Sequence, residues 1–197
     1  MTGLVLASTS VTRAGILRAA GVGFRVEAPD VDEAAVKLEL LSHGIDPGGV
    51  AEQLAARKAA EVSMRVAGMV IGADQTLDVD GALFDKVPTL AEARVRLMAL
   101  RGREHRLHSA VAVASAGVTL WRGTSQATLR MRVFSDAFLD GYLARQGEQV
   151  LSSVGCYQLE GEGIQLFAEV RGDFLAILGL PLLPLLSFLR ARDAVAS

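Results

Sequence analysis

Cysteine occurs once in the 197 residues, at Cys156. A single thiol makes neither an intramolecular disulfide nor a cysteine-rich metal site, and it suits a reducing, cytoplasmic setting. Charge of one sign is scarce too. The formal net charge is -2, so nothing favours non-specific nucleic-acid binding. The apolar run Phe174 to Leu189 is shorter than the ~20 residues of a spanning helix and is interrupted by Gly179, Pro181 and Pro184, which argues against a membrane protein. Leu4 to Ala7 is too short for the apolar centre of a secretion signal. There is no GxxxxGK[ST] loop, no GxGxxG at a strand-to-helix turn, no HExxH and no GxSxG. Standard P-loop NTPases, nicotinamide dehydrogenases, zinc proteases and serine hydrolases are thereby excluded on motif grounds. Hydrophobic residues make up 51% of the chain, which excludes disorder and supports a sizeable core in one domain, or in two small lobes around one cleft. No repeat, low-complexity tract or linker divides it.

The most informative stretch runs from Met69 to Lys86. Met69, Val70 and Ile71 read as a strand buried on both faces, because the run lacks polar alternation. Gly72 and Ala73 then remove side-chain bulk ahead of Asp74, an arrangement that leaves room for a ligand at the strand's end. Asp74 is the first candidate catalytic residue; the competing reading is a cap on the turn that follows. Near the start, Leu4 to Ala7 reads as a strand, Ser8-Thr9-Ser10 as a turn, and Val11 to Ala20 as a helix with Ser10 at its N-cap and Gly21 just past its end. Such a helix start attracts phosphate, and Arg13 adds charge one turn in. Equally, the serines only cap and Arg13 is solvated.

Phe24 to Ala28 is a second strand, followed by Pro29-Asp30-Val31-Asp32-Glu33. Three carboxylates in so short a space suit a hard cation such as Mg²⁺, or a solvated loop and helix start. His43 to Gly49 forms a turn region, and Val50 to Val66 a helix whose Lys58 either reaches a cleft or is solvated. Asp80-Gly81 marks a two-residue hairpin that returns Lys86 towards Asp74. Thr89 to Glu92 is a capping box opening a helix that ends at Gly102. Two long strands, Glu104 to Ala114 and Val118 to Val133, flank Ala116-Gly117; in the second, Ala127, Leu129, Met131 and Val133 point inward. His105 and His108 fall on opposite faces and therefore share no metal. Ser135 caps a helix through Arg145, Val154 to Leu159 and Ile164 to Val170 read as strand or turn segments, and Pro181 begins the last helix.

Several of these stretches, in this order, resemble the Maf family of nucleoside triphosphate pyrophosphatases. Leu4 to Ser10 with Arg13 is similar to the family's LILASxSPRR start, Pro29 to Glu33 to PDVDE, and Val70 to Asp74 to VIGAD. Leu100 to His105 is similar to LSGRxH, and Gly172-Asp173 with Gly179 to Leu182 to the GDxxxxxGLPL ending. The resemblance spans essentially residues 1–197 as one domain. It implies an α/β fold like that of Maf proteins and inosine triphosphatase: a mixed twisted sheet with flanking helices, a nucleotide cleft between two lobes, and commonly a homodimer. The implied reaction splits a nucleoside triphosphate into monophosphate and pyrophosphate with a divalent cation, Mg²⁺, Mn²⁺ or Co²⁺. By position, Asp74 is the general base, Glu33 and Asp74 hold the metal, and Ser8, Arg13, Lys58 and Lys86 hold the phosphates.

The sequence departs from the family at Val11 and Thr12, where Pro-Arg is usual, and at Val87, which separates Lys86 from Pro88. Substrate choice in the family is associated with the positions of Thr12, Gln75 and Glu160. Gln75 and Glu160 match the branch acting on 7-methyl-GTP, whereas Thr12 replaces its aromatic and removes a stacking surface. The resemblance thus points to a modified or non-standard purine triphosphate more than to dTTP or UTP. The family's name, taken from a septum-formation phenotype, supplies a second reading: a cell-division inhibitor that binds without catalysis. A third is a nucleotide-binding regulator that has lost turnover.

Overall fold

A computed structural model describes residues 3–196. Its centre is a mixed seven-stranded sheet in the order β2-β1-β3-β5-β6-β7, with β4 attached to β3. The strands are β1 (Leu4–Ala7), β2 (Phe24–Glu27), β3 (Val70–Val79), β4 (Ala82–Phe84), β5 (Glu104–Ser115), β6 (Val118–Met131) and β7 (Phe167–Arg171). The helices are α1 (Val11–Ala19), α2 (Glu33–Ser42), α3 (Pro47–Arg65), α4 (Leu90–Leu100), α5 (Asp136–Gln146), α6 (Phe174–Ile177) and α7 (Leu182–Arg190). None of the described helices is long and apolar enough to cross a membrane.

β3 organises the rest. One edge pairs antiparallel with β5 along Val70 to Asp78. The other edge is shared: β1 lies parallel to it at Val70 to Gly72, and β4 antiparallel at Leu77 to Val79. Between these two partners, Ala73 to Thr76 have no strand neighbour on that side, which opens a notch in the sheet. The fork follows from local chemistry. The Asp80-Gly81 turn has φ of 52° and 85°, the two left-handed residues of a hairpin whose twist suits the flanking strands. The chain therefore folds straight back on the end of β3, while β1 reaches only its beginning.

Alternation along β3 divides its side chains between two faces. Ile71, Ala73 and Leu77 face two apolar clusters on one side. The first holds Leu6, Leu17, Ile71, Val111 and Leu185, and the second Leu77, Leu97, Leu107, Leu129 and Tyr142. Gln75 and Ser109, paired in register on β3 and β5, sit between the two cores, which form the lobes on either side of the cleft. Gly72, Asp74, Thr76 and Asp78 face the other side, covered by α3. There Ala51, Ala55 and Ala59 meet Ala110, Ala112 and Ala114 of β5, and these small residues let the helix lie close to the strands.

Gly72 differs from the expectation that it leaves room for a ligand. A Cβ at this position would lie 2.2 Å from the Ala55 carbonyl oxygen and 2.6 Å from the Ala59 nitrogen. The missing side chain makes room for helix α3. We expect Gly72→Ala to destabilise the fold by about 1–3 kcal/mol, the usual cost of overpacking, seen as a lower urea midpoint; an unchanged midpoint would refute this packing role. Val133 also departs from its expected inward position. β6 ends at Met131, where its ladder with β7 stops, and Val133 is 80% exposed. The helix start that is one reading of the carboxylates at residues 29–33 is that of α2, whose extent the sequence reading does not give; it buries only Val36 and Leu40. Of the two readings for residues 154–159 the turn holds, and α3 begins at Pro47 with Asp46 as its N-cap.

His105, 2% exposed, has Nε2 2.8 Å from the Tyr157 hydroxyl and no partner at Nδ1. Burial pushes its imidazole down from 6.5 to about 4 despite the opposing charge of Asp78. The unfolded chain therefore takes up this proton below about 6.5 and the folded chain only near 4, so stability falls as pH drops through that window. Between pH 7 and pH 5 the wild type should lose about 2 kcal/mol more than His105→Gln, which keeps a polar group for Tyr157 and does not titrate. Urea unfolding at both pH values measures the difference, and equal losses would contradict a neutral buried imidazole.

Candidate active site

Asp74 lies in the notch of β3, and α3 crosses above it. Lys58, on the sheet-facing side of α3, is held between two carboxylates: its Nζ is 2.5 Å from Asp74 Oδ1 and 2.7 Å from Glu33 Oε1. The side chains of Lys58 and Asp74 are only 6% and 7% exposed, while Glu33, at the start of α2, is 46% exposed. The choice left open for Lys58 thus falls on the cleft. Asp74 caps no turn; that task belongs to Asp78, which accepts from the Gly81 N–H at 2.6 Å. Loss of solvation works to raise the Glu33 carboxyl, but Lys58, with Lys37 and Lys86 behind it, outweighs this and holds it below its ordinary value. Asp30 and Asp32 do not join Glu33: Asp32 caps α2 through the Ala35 N–H.

No group of three or more His, Cys, Asp or Glu side chains that could hold a metal exists among the described residues. Glu33 and Asp74 both reach the Lys58 ammonium beside an open cleft. A pair of carboxylates without a closed protein cage is the donor set that suits Mg²⁺-like cations, which keep positions for substrate phosphates and water.

The cleft has a volume of about 910 Å³ and is lined by residues of both sheet faces, which meet at the notch. Ser8 Oγ accepts from the Ser10 N–H at 3.2 Å and from Arg13 Nη1 at 3.4 Å, and Ser10 caps α1 through the Arg13 N–H. Arg13 is not solvated. Its Nη1 donates to the Ala73 carbonyl at 3.0 Å and its Nε to the Gly179 carbonyl at 2.9 Å. The guanidinium fills part of the notch and ties the turn after α6 to β3. Lys86 stands at the cleft mouth, where loss of solvation and nearby Arg13 lower its pKa.

Residues 3–192 match the family described as Maf-like protein. The chain belongs to the Maf family. Relatives cover it almost end to end. A Caulobacter vibrioides protein named nucleoside triphosphate pyrophosphatase is 52% identical over 99% of this chain and 98% of its own length. A protein of the same name from Paramagnetospirillum magneticum is 52% identical over 94% and 96% of the two chains. A Rhizobium johnstonii protein named 7-methyl-GTP pyrophosphatase is 49% identical over 98% and 97%.

In this Maf-family chain Thr12, Gln75 and Glu160, the positions that the sequence resemblance links to substrate choice, all line the cleft. Thr12 is on the first turn of α1, and Glu160 is exposed in the segment before the 3₁₀ turn at Glu162–Leu166. Gln75 is on the face opposite to Asp74. Its Nε2 donates to Ser109 Oγ at 2.8 Å and to the carbonyls of Ala176 and Ile177 at 3.1 and 2.9 Å. Carbonyls accept only, so the amide is oriented with nitrogen towards α6 and Oε1 left for the cleft. Two charged cleft residues escaped the sequence reading: Lys37 of α2 and Asp85 after β4, which form an ion pair. Lys37 stands four residues beyond Glu33, hence on the same helix face. That spacing carries the signal only once residues 33–42 are recognised as a helix.

Proposed function

We propose that this protein is a nucleoside triphosphate pyrophosphatase, cleaving its substrate between the α and β phosphorus. The observation that carries the reading is Lys58, buried between Asp74 and Glu33 at the floor of a cleft large enough for a nucleotide. The names of the relatives accord with it, and a protein that only binds, as in cell-division inhibition, has no need of a buried base beside a cation.

Asp74 keeps Oδ1 on Lys58, whereas Oδ2 accepts no hydrogen bond from a described residue. It serves as general base: the carboxylate takes a proton from water as the water oxygen bonds to the α-phosphorus, and the bond to the bridging oxygen breaks, releasing pyrophosphate. Lys58 orients the base, and with Ser8, Arg13 and Lys86 it binds phosphate oxygens and offsets their charge. Glu33 and Asp74 would hold a Mg²⁺, Mn²⁺ or Co²⁺ ion, which supplies further neutralisation of the phosphate charge when bound. Glu160 and Gln75 Oε1 both present acceptors. They favour a base edge rich in donors, as a guanine-type or modified purine offers, over thymine or uracil with one ring N–H.

The test is a panel of purine, methylated purine and pyrimidine triphosphates with each cation, reading monophosphate and pyrophosphate. Release of orthophosphate and diphosphate, or no hydrolysis, would overturn the reading. Full turnover in excess chelator would overturn the metal assignment alone. Glu33→Gln should raise the cation concentration for half-maximal rate by at least about tenfold, as measured by metal titration, and an unchanged titration would remove Glu33 from the metal site.

A further inference from the structure

The mouth of the cleft carries an ion pair that the reaction outlined above does not use. Lys37 Nζ contacts the Asp85 carboxylate, joining α2 to the segment after β4. These two walls otherwise meet in one apolar cluster, where Leu83 packs against the group formed by Val36, Leu40, Val50 and Leu54. The pair is asymmetric. The Lys37 side chain is 17% exposed and that of Asp85 56%, so the lysine is the member turned inward. Its charge also reaches the Glu33 carboxyl, together with those of Lys58 and Lys86, which places it in the same positive field.

On the reading of this cleft as a triphosphate site, we propose that Lys37 is a further phosphate-binding residue, held in reserve by Asp85 and passed to the outer end of the phosphate chain when substrate enters. An exposed carboxylate holds a lysine only weakly, and the lysine's four-carbon stem lets the ammonium swing without moving the helix. A phosphate chain offers more charge and more acceptor oxygens than one carboxylate. Asp85 therefore competes with substrate, and the two members of the pair have opposite effects on binding. An ion pair with a purely structural role would give the same effect from either side.

The intact protein and its variants are titrated calorimetrically with inorganic tripolyphosphate in the presence of Mg²⁺. Lys37→Met should weaken Kd about tenfold, as for loss of a charged hydrogen bond, and Lys37→Arg should restore most of it. Asp85→Asn should tighten Kd roughly two- to fivefold. In the Lys37→Met background Asp85→Asn should have no further effect, which separates competition for Lys37 from a general change in cleft charge. Equal weakening by both single variants, or an Asp85→Asn effect that survives without Lys37, overturns the proposal. If triphosphates are still hydrolysed in that case, the proposed reaction stands. A wild type that binds no tripolyphosphate overturns this proposal, while the hydrolysis panel decides the reaction separately.

Discussion

Asp74→Asn should lower kcat on the order of 10²–10⁴-fold, the span typical of removing a general base, with little change in fold. Asn keeps the shape of the side chain and one acceptor oxygen for Lys58, whose Nζ is 2.5 Å from Asp74 Oδ1. It removes the basicity that accepts the proton of water. Asp74 is 5% exposed in the middle of β3, not at a strand's end as the sequence suggests, and β5 pairs with β3 on both sides of it, so the substituted side chain is held in the same place. The measurement is kcat with saturating triphosphate, alongside a urea unfolding curve. Near-normal turnover with an unchanged curve would remove Asp74 from the chemistry.

Lys58→Met should reduce kcat/KM by roughly 10²–10³-fold, comparable to deleting one preorganised donor to a developing negative charge. Methionine keeps the unbranched stem and fits the same path off α3. The charge lost here counts for more than that of a surface lysine, because the Lys58 side chain is 6% exposed and is shared by Asp74 and Glu33. Without it two carboxylates face each other across a poorly solvated floor, and the variant loses stability as well as activity. The double variant Lys58→Met with Asp74→Asn separates the two effects. Its stability should recover relative to Lys58→Met alone, since a neutral amide needs no cation, while activity stays lost. Recovery of neither, or a Lys58→Met enzyme with wild-type kcat/KM, would contradict the bridging role.

The sequence by itself determined what local chemistry controls. The left-handed Asp80-Gly81 hairpin, the caps at Ser10, Thr89 and Ser135, and the buried opening of β3 all lie where the sequence predicts. Each depends on residues within a few positions of one another. With the resemblance added, sequence also indicated the mixed α/β sheet and the Maf family. Only the tertiary structure decided which charged residues work. A lysine on a helix gives the same pattern whether it faces water or a carboxylate, and Lys58 faces Asp74 because α3 crosses the notch of β3 at close range. Gly72 permits that approach, and its empty Cβ position is filled by a helix more than a dozen residues away in sequence. Gln75 and Asp74 are adjacent in the chain yet point to opposite faces of the sheet, since successive side chains of a strand alternate. They reach one cleft because β1 and β4 leave the edge between them unpaired. Pairings at such sequence separations depend on how whole elements stack, and no short window of residues encodes them.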